Sequence, residues 1–207
     1  MVYEILAPED IERKSMEIIT SELGGRTWQE PKFSIIKRCI HTSADFDYAD
    51  NLVFSDNAEA IGTDLIKKGA TIVTDTKMAA SGINKNKLSA YGGEVKCFIS
   101  DEDVIAEAKS RNCTRATISM EKASAIKGPL IIAVGNAPTA LITLYEMVKD
   151  GRIKPGLIIG VPVGFVNVVE SKEMIMKLDV PYIVAKGRKG GSNIAATICN
   201  AMMYYKG

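Results

Sequence analysis

One histidine, one tryptophan and no C-x-x-C pair in 207 residues remove several chemistries at once. A lone imidazole, His41, excludes the usual His/Cys metal spacings, so no protein-held metal is expected. The four cysteines, Cys39, Cys97, Cys113 and Cys199, are scattered, which fits buried thiols in a reducing cytoplasm. No apolar run approaches the ~20 residues of a spanning helix. Met1-Val2-Tyr3-Glu4 has neither the basic stretch nor the apolar core of a signal peptide. An excess of charge is missing as well. With 26 basic against 25 acidic side chains the net charge is +1, which gives no global attraction to nucleic acid or to an acidic membrane. The expectation is a cytoplasmic protein with neither as a partner, and any anion it binds must be met locally.

Missing motifs narrow the classes further. There is no G-x-x-x-x-G-K-[ST] loop, and the first strand of the alternating region is followed by Asp75-Thr76-Lys77-Met78 rather than a glycine fingerprint. Nucleotide and dinucleotide binding lose most of their support. Asp75 and Glu121 are single acids without a spaced partner, and no G-x-S-x-G elbow occurs. Paired-carboxylate and serine hydrolases are therefore not indicated.

What is present has a clear order. The length suits one domain, residues 1–207, with a sizeable core. Pro8-Glu9-Asp10 opens a first helix whose Ile11, Ile18 and Ile19 form an apolar stripe as far as Gly24-Gly25, with Ser15 on that stripe. Phe33, Ile36 and Ile40 predict a second helix, and Asp56 to Lys68 a third segment closed by Gly69. Five apolar runs then alternate with helices: Thr71–Val73, Val95–Ile99, Leu130–Val134, Leu157–Ile159 and Tyr182–Val184. Continuous apolar strands covered by helices on both faces predict a three-layer α/β/α sandwich. Its sheet is five-stranded, parallel and flavodoxin-like, with extra N-terminal helices. Leu141, Leu144, Tyr145 and Val148 mark the core face of one helix. A last helix, Asn193 to Tyr205, is apolar nearly all round, which calls for burial by the domain or by a second subunit.

Three glycine-bearing turns follow the last three strands: Gly135-Asn136-Ala137-Pro138-Thr139, Val161-Pro162-Val163-Gly164-Phe165 and Gly187-Arg188-Lys189-Gly190-Gly191-Ser192. Carboxyl ends of parallel strands form the rim of a crevice, so these turns line up backbone donors and cations suited to an anionic ligand. The last turn reads equally as a carboxylate or phosphate cradle and as a tight strand-to-helix turn capped by Ser192. Asn136 reads as the cap of the next helix, with Pro138 in its first turn, or as a neighbour of a ligand at the uncapped amides. Arg115 is either a surface charge or a bidentate carboxylate clamp. His41 lies opposite Phe33, Ile36 and Ile40 on the helical wheel, with Ser34, Lys37, Arg38 and Asp45. It is thus a solvated imidazole or a proton donor, not a core histidine.

Taken together, Cys39-Ile40-His41-Thr42, Gly135-Asn136-Ala137-Pro138-Thr139-Ala140-Leu141, Gly160-Val161-Pro162-Val163-Gly164-Phe165-Val166, Glu170-Ser171-Lys172 and Gly187-Arg188-Lys189-Gly190-Gly191-Ser192 resemble the precorrin-8X methylmutase family, including its cobalt-precorrin-8 members. The resemblance covers nearly the whole chain. It implies an isomerase of cobalamin biosynthesis that moves a methyl group from C-11 to C-12 of a corrin precursor. It also implies a homodimer with no cofactor, any cobalt belonging to the substrate. By position, His41 matches the family's catalytic histidine, and Ser15 and Arg115 match residues near the tetrapyrrole. The turns bearing Asn136, Gly164, Gly187, Arg188, Lys189, Gly190 and Gly191 match its binding walls. A carrier that holds a corrinoid without transforming it is the competing expectation.

Overall fold

The computed structural model describes residues 7–205. The signal-peptide reading of Met1-Val2-Tyr3-Glu4 falls outside them. The chain opens with α1 (Pro8–Glu22), α2 (Lys32–Ser43) and α3 (Tyr48–Asn51), followed by a short strand β1 (Leu52–Phe54) and α4 (Ala58–Lys67). β2 (Thr71–Thr74) leads through α5 (Lys77–Gly82) and α6 (Lys85–Ser89) to β3 (Glu94–Lys96). Helices α7 (Glu102–Ser110) and α8 (Arg115–Ala123) precede β4 (Leu130–Val134) and α9 (Pro138–Lys149). The chain finishes with β5 (Leu157–Gly160), α10 (Val168–Ile175), β6 (Tyr182–Ala185) and α11 (Ser192–Tyr204).

The sheet has the order β1-β6-β5-β4-β2-β3. All pairs are parallel except β1 with β6, which run antiparallel with Val53 opposite Val184. Counting only the parallel strands gives the flavodoxin-like order 2-1-3-4-5, whose direction of winding reverses between β2 and β4. The expected five-stranded sheet is therefore corrected to six strands. β1 is a three-residue edge strand defined by its partner, so periodicity has too few residues to reveal it. β3 is also shorter than the run Val95–Ile99. Phe98 and Ile99 leave the ladder and pack beneath the helices instead.

The reason for the continuous apolar strands is visible along β4. Ile131 and Ala133 enter the core shared with α1, α2, α4, α5 and α11, whereas Leu130, Ile132 and Val134 enter the core beneath α8, α9 and α10. Both faces are covered, so alternation with polar residues disappears. α9 buries Leu141, Leu144 and Met147, and Tyr145 and Val148 pack at the edge of that core.

α11 settles differently from one of its two alternatives. Ile194, Ile198, Ala201 and Met202 are all buried within a single chain, against α2, α4, α5 and the sheet. No second subunit is needed to cover it. The exposed apolar side chains include Ile11 and Ile18 of α1, each about half exposed, so the stripe of α1 is only partly inward. Of the cysteines, Cys39 and Cys199 are buried, whereas Cys97 and Cys113 are partly exposed, and all four are free. Among the described residues no helix is long and apolar enough to cross a membrane, and no cluster of His, Cys, Asp and Glu could hold a metal ion.

Candidate functional site

The three glycine turns do sit at the carboxyl ends of β4, β5 and β6, but several of their backbone donors, including all three at the start of α9, are already engaged. The amides of Gly135, Asn136 and Ala137 donate to the carboxylate of Asp75 at 2.9, 2.8 and 2.7 Å. Gly191 N–H donates to Val161 O and Gly164 N–H to Arg188 O, which ties the second and third turns together. The glycines serve this close approach. A Cβ at Gly190 would lie 2.1 Å from Val161 O, and one at Gly135 would lie 2.6 Å from Ser192 Cα. The uncapped-amide reading is thus corrected: the chain supplies its own anion to the nest in front of α9.

Asp75, a lone acid in the sequence, is 1% exposed. Burial is the largest influence on its carboxyl and pushes the pKa above the ordinary range, while the three amides pull it down. Asn136 is not the helix cap. The N-cap position falls on Ala137, because Asp75 has taken the capping role from across the sheet. Ser192 is the first residue of α11 rather than its cap, and its hydroxyl meets Thr76 Oγ1 at 2.7 Å.

A crevice opens at the point of reversal between β2 and β4. A cavity of about 410 Å³ is walled by Asp75, Thr76, Lys77, Ile99, Thr114, Arg115, Asn136 and Thr139. Arg115 is the first residue of α8, after its cap Thr114, and donates to Ile99 O at 3.3 Å. It stands at the mouth with most of its hydrogen-bonding capacity left, as does the exposed Asn136.

His41 lies elsewhere. It projects from the exposed face of α2 into a groove of about 200 Å³ between α2 and α11, with Arg38, Thr42, Thr197, Asn200, Ala201 and Tyr204 around it. Thr42 Oγ1 and Thr197 Oγ1 are 3.0 Å apart and join the two helices. Arg38 is held by Glu12 of α1 at 2.6 Å. Asn200 is fixed by Asn84 N–H and Gly82 O, and Asn84 Nδ2 donates to the hydroxyl of Tyr204. Within one chain, then, His41 and the strand-tip crevice line separate cavities. Ser15 lies on α1 with its hydroxyl donating to Ile11 O at 2.8 Å. The walls contributed by Thr197, Asn200 and Tyr204 are not legible in the sequence, since they lie more than 150 residues from His41 and carry no local signature.

In the last turn Arg188 is exposed and stacks over the Phe165 ring at 5.4 Å. Lys189 is engaged by Asp45 and Asp47, each at 2.6 Å, which tie the turn to the segment after α2 and raise the lysine well above its usual range. Beneath the turn, Lys172 of α10 is 1% exposed and donates to Gly187 O and Lys189 O, both at 2.8 Å. Its place was legible in part. Val168, Ser171, Lys172 and Ile175 recur at the spacing of a buried helix stripe.

Burial pushes the Lys172 ammonium down to about 8, from an ordinary 10.5. Between those values the folded chain has released a proton that the unfolded chain retains, so native stability gains as pH rises across the window. Thermal melts of wild type and Lys172→Met at pH 7.5 and pH 10 should therefore show a melting difference that moves in favour of the wild type at the higher pH. An unchanged difference would mean an ordinary lysine.

The sequence pattern of the precorrin-8X methylmutase family matches residues 10–205. The cobalt-precorrin-8 methylmutase of Priestia megaterium is 47% identical over 195 residues, covering 94% of this chain and 87% of that protein. The precorrin-8X methylmutase of Pseudomonas aeruginosa is 37% identical over 206 residues, covering 98% of each. Among solved structures, precorrin-8X methyl mutase from Thermus thermophilus aligns with a TM-score of 0.87 and 37% identity over 94% of both chains. Such matches define an intramolecular methyl transferase, an isomerase of cobalamin biosynthesis. The chain belongs to the precorrin-8X methylmutase family.

Proposed function

We propose that this isomerase moves a methyl group from C-11 to C-12 of a corrin-precursor polycarboxylate, with His41 as general acid. The substrate class is taken from the relatives, which are named for precorrin-8X and for cobalt-precorrin-8. The products would be hydrogenobyrinate or cobyrinate. One observation carries the acid role: the chain's single imidazole is exposed in a groove bordered by hydroxyl, amide and guanidinium groups. Protonation of the conjugated ring by His41 makes it electron-poor and lowers the barrier to a suprafacial 1,5-methyl shift, and the proton then leaves. Arg115, Arg188 and Asn136 suit the many acetate and propionate carboxylates of such a ring. Ser15 and the turns of Gly164, Gly187, Lys189, Gly190 and Gly191 complete the proposed walls.

The same reading has a cytoplasmic homodimer of one-domain chains, with no cofactor of its own and any cobalt carried by the substrate. Ile11 and Ile18 support the dimer, since they leave exposed apolar surface on the face of α1 that bears Ser15. Incubating the purified protein with metal-free and cobalt-loaded precursor in parallel tests the activity. The visible spectrum should change with at least one of them, without a methyl donor and in the presence of a chelator. Binding without spectral conversion of either would instead identify a carrier.

A further inference from the structure

We infer that Lys172 is a positioning residue, which aims the turn bearing Arg188 from beneath at the carboxylates of the substrate. The inference rests on the reading that this turn borders the ring. Its starting point is an unusual burial. An ammonium taken out of water costs several kcal/mol unless hydrogen bonds and charges compensate, and no carboxylate among the described residues pairs with Lys172. It donates instead to the carbonyls of Gly187 and Lys189, the residues on either side of Arg188. Neither carbonyl has another backbone donor among the described residues.

The geometry makes the turn a suspended bridge with Arg188 at its centre. Its own carbonyl accepts from Gly164 N–H at 3.1 Å, so the backbone on both sides and in the middle is anchored, and the guanidinium is turned outward over Phe165. Lys189 anchors the flank to Asp45 and Asp47. Glycines at 187, 190 and 191 leave the turn little stiffness of its own, because residues without Cβ restrict the backbone least. Lys172 supplies that stiffness from a helix. An apolar residue of the same size would fill the space and leave both carbonyls without their donor.

Lys172→Met should raise KM for the polycarboxylate about tenfold, equivalent to ~1.4 kcal/mol, and leave kcat within about twofold, because the acid on α2 is untouched. Arg188→Ala, made in both backgrounds, should raise KM less in Lys172→Met than in wild type, since a misaimed guanidinium has less to lose. Should methionine prevent folding, Lys172→Gln is read by the same two comparisons. Additive effects, an unchanged KM in a normally melting variant, a fall in kcat alone, or failure of both variants to fold would overturn the role. Spectral titration with the product corrin gives the same comparison as dissociation constants. A wild type that binds but does not convert would thus sink the parent activity without deciding this point.

Discussion

His41→Ala is expected to lose turnover by about 10²–10⁴-fold, the usual contribution of a positioned general acid, while retaining affinity for the product corrin. The two effects separate because the imidazole is one wall residue among several. Thr42 and Thr197 remain bridged, Arg38 remains held by Glu12, and Asn200 remains fixed between Asn84 and Gly82. None of these contacts uses the imidazole, so the variant should melt within a degree or two of the wild type. Single-turnover spectra with saturating protein check the chemistry, and equilibrium titration checks binding. Methyl migration at the wild-type rate would remove the acid role and leave His41 as a solvated side chain.

Asp75→Ala carries the second large effect, on stability rather than on chemistry. Three amides at the start of α9 would lose a charged acceptor in a site closed to solvent on most sides. Leaving buried donors unsatisfied costs about 1–3 kcal/mol per group, and partial access from the neighbouring crevice lets water take up some of that loss. We expect destabilisation of about 3 kcal/mol by denaturant unfolding. Asp75→Asn should fall between, since its amide keeps one acceptor oxygen but turns an NH₂ toward N–H donors. Formate or acetate should restore part of the loss in the alanine variant by filling the vacated anion position. Equal stability of Asp75→Ala and wild type would show that the three bonds contribute nothing net.

These two residues mark the difference between what was readable and what was not. The strand runs at 71, 130, 157 and 182, the first two helices and α9 were legible, because burial on both faces or on one stripe writes itself into periodicity. His41 was legible as an exposed group for the same reason, lying opposite Phe33, Ile36 and Ile40. Asp75 was not. Its meaning comes from amides some 60 residues away that only the β2–β4 pairing brings within 3 Å. Lys189 shows the same limit: its glycine-rich turn is plain in the sequence, whereas its pairing with Asp45 and Asp47, more than 140 residues away, is not.

By itself the sequence determined the sandwich class, the positions of the turns at strand ends, the solvent-facing histidine and the family motifs, all of which depend on local spacing or on ordered strings. Only the tertiary structure decided the antiparallel edge strand, the burial of α11 within one chain and the filling of the rim amides by Asp75. It also decided the separation of the His41 groove from the strand-tip crevice. Each of those depends on which distant segments meet, and hydrogen-bond partners across a sheet leave no trace in the spacing along a strand.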